Sequence, residues 1–441
     1  MKKISIIGSI IILFTIFACI ALSSGGNANT LYLLNWGEYI NQELITKFEE
    51  EYNAIVIEET VTSSETMYQK ITAGTTSYDV AIPGDYMVTK LYKEGLLKEI
   101  DVNNQELKNL NNYKTMFNDD LTKLREANMK ETLTYSMPYF WGAYSMIYST
   151  KNSEVEEIVK QNDFKALFDK SLYDFDVKTG MYSTARWAVA SYLMSNNFNP
   201  NEESFNDNDV VSGIKGASFD VWGDDQLKRK VATGDLDLVF TQLGDFFDAL
   251  YLALDEGLDK NNSGDGLEGL DFNVYVPKTT AAFFDSMVIP TTTKNEELAN
   301  LFINFMLDPQ NAFENALAVG YSPTLKSVAN LYIENKDELY YEDSENPSRN
   351  VTLGDLTAKY PFYLNPLCNS SNVYLFEPKD SNYMTKCETI VNQAKSALES
   401  NNNLGLVCCI AFGSVVIVGA TSYTTYRIVK KKHESRKISK R

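Results

Sequence analysis

Two short segments of this 441-residue chain set aromatic rings beside a carboxylate: Trp36-Gly37-Glu38-Tyr39 and Pro83-Gly84-Asp85-Tyr86. A ring face attracts an ammonium group by about 0.5 to 2 kcal/mol, and a carboxylate adds charge-assisted hydrogen bonds. The combination suits an organic amine. Trp36 and Tyr39 fit equally well as staples between a strand and the helix after it. The single histidine, His433, lies in a basic segment near the end of the chain. The remainder therefore contains no Ser-His-Asp triad, Cys-His dyad or histidine-based zinc site. Glycine-rich phosphate loops, CxxC pairs and EF-hand spacing are absent from the sequence as well. A glycosidase built on two carboxylates is compatible with so acidic a chain, but no local pattern selects the pair. These residues point to a binding protein with no catalytic residue, no metal and no cofactor, and not to an enzyme.

The surrounding elements indicate how the clusters meet. Residues 31–35 read as a buried strand, and Ile40, Leu44, Ile45, Phe48 and Tyr52 recur at helical spacing. Ala54 to Val61, rich in β-branched residues, reads as a second strand. Thr62-Ser63-Ser64-Glu65 offers capping side chains ahead of Met67, Tyr68 and Ile71, and Tyr78 to Ile82 reads as a third strand. This β-α-β-α-β order requires crossover connections, hence a parallel sheet covered by helices. Ligands of such sheets sit beyond the carboxyl ends of the strands, where both clusters fall. Gly37 and Gly84 allow the backbone to turn sharply or approach a ligand. The aromatic segment Met137-Pro138-Tyr139-Phe140-Trp141-Gly142 opens a second α/β series, with strands at Gly180 to Ser183 and Leu236 to Phe240, a helix from Thr184 and an exposed loop over 258–268. Phe283 to Pro290 and a helix carrying Leu298, Phe302, Phe305 and Met306 follow, ending at Asp308-Pro309. Glu334 to Arg349 reads as a charged loop and Met384 to Ser400 as a closing helix.

Both ends are distinct from this globular sequence. Met1-Lys2-Lys3 precedes an apolar run from Ile4 to Leu22, which fits a signal peptide or a retained signal anchor over 1–24. Cys19 fits either a lipoprotein cleavage box or one more apolar position in that run. Leu404 to Tyr426 is a 23-residue uncharged stretch, long enough to cross a bilayer, and the basic segment 427–441 directly follows. By the positive-inside bias that tail is cytoplasmic and the chain from about residue 25 to 403 is outside. The intervening part then holds 30 basic and 58 acidic residues, a formal charge of −28. Such a surface disfavours nucleic acid and anionic lipid and attracts cations, although solubility alone accounts for it as well. Cys368 and Cys387, the two cysteines outside the apolar ends, form one disulfide or stay as two thiols.

Taken in order, Leu31-Tyr32, Asn35-Trp36-Gly37-Glu38-Tyr39, Ser64-Glu65-Thr66-Met67-Tyr68, Tyr78-Asp79-Val80, Pro138-Tyr139-Phe140-Trp141-Gly142, Asp285-Ser286, Phe302-Ile303-Asn304-Phe305 and Gly320-Tyr321-Ser322-Pro323 resemble bacterial spermidine/putrescine-binding proteins, over roughly residues 29 to 325. The resemblance implies an α/β fold of the type II periplasmic-binding-protein class, two lobes on a hinge, here flanked by N- and C-terminal membrane segments. It places lobe 1 at 29–134, completed by about 286–325, and lobe 2 at 135–282, completed by about 326–402. It implies an extracellular component of an ABC importer that binds a polyamine between the lobes and hands it to permease subunits, while the apolar ends would hold it at the cell membrane. Trp36, Glu38, Tyr39, Tyr86, Asp285 and Tyr321 match the family's pocket residues, with Asp285 as the carboxylate that meets an amino group. Departures cluster in the second lobe. Thr184 and Trp187 stand where the family has an acidic pair, Thr241 and Phe283 where it has tryptophans, and Gly84 replaces a serine that Asp85 is placed to offset. The alternatives are a same-fold protein for another amine, a sugar or thiamine, and a surface adhesin or sensor with a degenerate pocket.

Overall fold

Leu31, Leu33 and Leu34 are all fully buried, which dispenses with the alternation of a half-exposed strand. The reason is that β1 (Thr30–Trp36) lies between two parallel partners, β2 (Ile55–Val61) and β3 (Val80–Ala81), in a three-stranded sheet. The crossovers are helices α1 (Gln42–Tyr52) and α2 (Ser64–Ala73). Asn41 caps the first by accepting from the Glu43 N–H, and Ser63 caps the second by accepting from the Thr66 N–H. The third strand is shorter than Tyr78–Ile82, although Asp79 and Ile82 still donate to the carbonyls of Tyr32 and Leu34. The computed structural model describes residues 29–224, 226–258 and 266–396.

A second, eight-stranded sheet is organised by β5 (Met137–Ser149), a strand whose thirteen residues are all buried. Its first half pairs with β12 (Ser322–Pro323) and the end of β10 (Thr279–Met287); its second half pairs with β8 (Leu238–Gln242) and β9 (Phe272–Tyr275). The parallel strands β6 (Thr179–Tyr182) and β7 (Val221–Gly223) extend one side, and β15 (Asn372–Leu375) the other. Beyond β10 the chain crosses to the smaller sheet. Gly84 bridges Asp285, Ala81 bridges Val288, and β4 (Leu97–Lys98) pairs with β11 (Ile289–Pro290). The segment of β10 and β11 thus links the larger sheet to the smaller one.

Gly142 of β5 faces Phe283 of β10, and a β-carbon there would lie 2.5 Å from the Phe283 ring. Gly142→Ala is expected to destabilise the fold by about 1–3 kcal/mol in denaturant titration, because the ring must leave its rotamer or the strands must part. An unchanged midpoint would show that the ring is not held there.

The segment 334–349, expected as a loop, instead carries β13 (Leu339–Tyr341), which pairs with β14 (Val351–Thr352). Arg349 is 1% exposed and donates to the Asp343 carboxylate and the Leu254 carbonyl. A charge run that reads as solvated is in part an internal ion pair. The closing helix spans 381–396 among the described residues. Cys368 is exposed and Cys387 buried, both as free thiols, so the disulfide alternative is not the one found. Among the described residues no helix is long and apolar enough to cross a membrane. The expected membrane segments 1–24 and 404–426 and the tail 427–441 lie outside the described residues.

Candidate functional site

Where the register of β10 against β5 shifts, between Phe284 and Ser286, the extra residue is on β5, and Tyr139 and Phe140 stand opposite the single Asp285. Such bulges re-aim a side chain. The half-buried Asp285 carboxylate accepts from the Tyr39 hydroxyl at 2.7 Å. Tyr39 reaches it because the preceding turn passes through Glu38 in the left-handed region, φ 54°. The Tyr39 ring then packs against Tyr139, Phe140 and Tyr321 with centroids 5.7, 5.3 and 5.1 Å away. Burial pushes the Asp285 carboxyl up to about 7, with the Tyr39 hydrogen bond pulling the other way.

A second carboxylate arrives from the smaller sheet. Asp85 opens helix α3 (Asp85–Lys93), directly after Gly84, which bridges Asp285. Asp85 is 4% exposed; Oδ1 accepts from the Tyr86 N–H at 2.6 Å, and Oδ2 has no partner among the described residues. Burial raises it to about 8, partly offset by that N–H. The third, Asp245, comes from the larger sheet. It lies in the first turn of the helix Leu243–Asp255, where its Oδ2 accepts from Tyr182 at 2.7 Å, Thr241 at 2.6 Å and the Gln242 N–H at 3.0 Å. Its carboxyl is also raised, first by burial, with Lys228 acting in the opposite direction. Tyr321 links the Asp285 and Asp245 sites, its hydroxyl 3.5 Å from Asp245 Oδ1 and its ring against Tyr39. It crosses Gly244 so closely that a β-carbon there would meet the ring at 2.3 Å.

Between these carboxylates stand aromatic rings. Tyr144 is the hub, with Trp187, Phe240, Phe283 and Phe376 at centroid distances of 5.3, 5.5, 5.6 and 5.1 Å. Carboxylates whose burial disfavours ionisation, set among ring faces, form a place where an ammonium group restores the lost charge balance.

Of the residues expected from sequence, the structure gathers Tyr39, Asp85, Tyr86, Trp187, Thr241, Phe283, Asp285 and Tyr321 into this region. Trp36 is half-buried and spends its indole N–H on the Ile82 carbonyl at 2.8 Å. Glu38 and Thr184 are exposed; Thr184 stands before the next helix without capping it through its side chain. Asp245, Arg186, Tyr144 and Phe376 were not expected. Asp245 lies four residues after Thr241, and Arg186 lies between Thr184 and Trp187, so each stands within a segment named from sequence without belonging to a local motif.

The profile of bacterial extracellular solute-binding proteins matches residues 43–347. The chain belongs to that family. Its members bind and present solutes and are not enzymes. This solute-binding protein is 27% identical over 341 residues to the spermidine/putrescine-binding periplasmic protein of Escherichia coli K12, covering 76% of this chain and 89% of that protein. It is 24% identical over 313 residues to the putrescine-binding periplasmic protein of the same organism, covering 66% and 78%. Among solved structures, the substrate-binding protein of a spermidine/putrescine ABC transporter from Streptococcus pneumoniae superposes with a TM-score of 0.61 at 25% identity, covering 83% of this chain and 99% of that one.

Proposed function

We propose that this solute-binding protein captures an organic amine of the polyamine class and delivers it to the permease of an ABC importer. The observation that carries the reading is Asp285, set opposite the β5 bulge between Tyr39 and the aromatic group around Tyr144, with Asp85 next to it across the Gly84 bridge. Charge-assisted bonds would hold an ammonium group there, and the rings would bury the methylene stem at about 0.8 kcal/mol per CH₂. Thr184 and Trp187 carry no charge for a second ammonium group, whereas the buried Asp85 and Asp245 do. The names of the relatives support the same class of ligand.

In this reading residues 29–134 with 286–325 and residues 135–282 with 326–402 are two lobes. They hinge where strands β5 and β10 pass between them and close on the solute. The uncharged run 404–426 and the basic segment after it would hold the protein at the membrane beside its permease, raising its local concentration there.

A thermal-shift panel on the full-length protein in detergent tests the reading. Putrescine or spermidine at a hundredfold excess over Kd adds about 2.7 kcal/mol of stability and raises Tm, while sugars and thiamine leave it unchanged. A rise with a sugar or thiamine and none with amines would replace the amine by that solute.

A further inference from the structure

Arg186 places a guanidinium in the same group of side chains. It is the second residue of helix α4 (Ala185–Ser195), is 4% exposed, and lies with Cζ 5.2 Å from the Tyr86 ring centroid and 4.9 Å from that of Phe376. Its Nη2 donates to the Glu377 carbonyl, but Nε is buried without a hydrogen-bond partner among the described residues. Asp85, the neighbour of Tyr86 in sequence, has its Oδ2 in the same condition and lies near enough to Arg186 for the two charges to attract, without a hydrogen bond between them. The two atoms are complementary: Oδ2 needs a donor and Nε needs an acceptor. A buried donor or acceptor left unmatched is unfavourable, and a free diamine would match only one of them. Its second ammonium group, though drawn by Asp245, would meet a like charge wherever it approached Arg186. Thr184 and Trp187, which flank Arg186, bring no carboxylate to soften that encounter.

We infer that the solute carries, besides the ammonium group held by Asp285 and Asp85, an oxygen acceptor that Arg186 receives, so that within the polyamine class the site prefers an amine bearing a carboxylate or acyl oxygen to the unsubstituted diamine. The planar fork of arginine suits such an oxygen better than a lysine would. This rests on the reading of the site as an amine site and narrows the class of amine. Arg186 then acts in specificity, selecting the second end of the ligand, while Asp285 selects the first.

The test is calorimetric titration of the full-length protein in detergent with four probes: putrescine, spermidine, ornithine and N-acetylputrescine. The last two separate a carboxylate from an acyl oxygen. At least one of them is expected to bind about tenfold or more tightly than putrescine. Arg186→Gln is expected to remove that preference by weakening the acceptor-bearing probes about tenfold or more relative to putrescine, with Arg186→Lys intermediate. Putrescine and spermidine binding as tightly as both acceptor-bearing probes in the unmodified protein would overturn the inference and leave the amine site standing. Equal weakening of all four probes by Arg186→Gln would do the same, making Arg186 a clamp on Tyr86. Heat from none of the four would overturn the amine site itself and the inference with it. The unmodified protein alone decides between these outcomes if the variants do not fold.

Discussion

Asp285→Asn is expected to weaken amine binding by about 2–4 kcal/mol, roughly a 30- to 900-fold rise in Kd. The substitution keeps the volume of the side chain and an oxygen for the Tyr39 hydroxyl, so the fold and the rings around Tyr39 persist while the charge is lost. An ammonium group leaving water then finds Asp85 and Asp245 but no carboxylate between Tyr39 and the Tyr144 rings, and part of its desolvation is uncompensated. The measurement is calorimetric Kd for the preferred amine with both proteins at one pH. Binding within about threefold of the unmodified protein would place the ammonium group elsewhere and make Asp285 a structural residue.

Proton linkage gives the second large effect. Burial raises Asp285 to about 7 and Asp85 to about 8, so near neutral pH the empty site retains protons that an ammonium ligand must expel. Affinity is therefore expected to rise between about pH 6 and 8.5, by about tenfold per unit for each proton released, until the amine itself begins to lose its charge near 10. Stability of the empty protein runs the other way. The folded-state values lie above the ordinary aspartate value of about 3.9, so the folded form binds more protons than the unfolded one across the interval between them. Stability from these groups is full below about 4 and is lost as pH rises through about 7 to 8. Tm without ligand should fall across that interval, and ligand should reverse the trend. A Kd independent of pH from 6 to 8.5 would mean that the carboxylates are already ionised when the amine arrives.

The parallel sheet was legible because β1, β2 and their crossover helices obey local rules: β-branched strands, Asn41 and Ser63 as caps, and Leu44, Ile45 and Phe48 on one helical face. Tyr39, Asp85 and Asp285 were legible as candidates because each stands in a short motif at a strand end. Asp245 and Arg186 were not. Both sit in the first turn of a helix, where acidic and polar residues usually serve capping, and only long-range pairing of β5 with β8 and of β6 with β8 brings those turns to Asp285. The 334–349 segment misled for a related reason. Its charges look solvated until Arg349 is seen beneath β13, matched to Asp343 and to a carbonyl 95 residues away. Periodicity reports which face of an element is apolar; it carries no information on which distant charges share a dry site.

The most direct test of the amine site is an experimental structure of the protein crystallised with its preferred amine. A ligand nitrogen within about 3 Å of the Asp285 carboxylate, beside Tyr39 and with its carbon stem against the rings around Tyr144, is the predicted result. An amine bound outside this cluster, or an Asp285 that keeps only its Tyr39 partner in crystals saturated with amine, would contradict it.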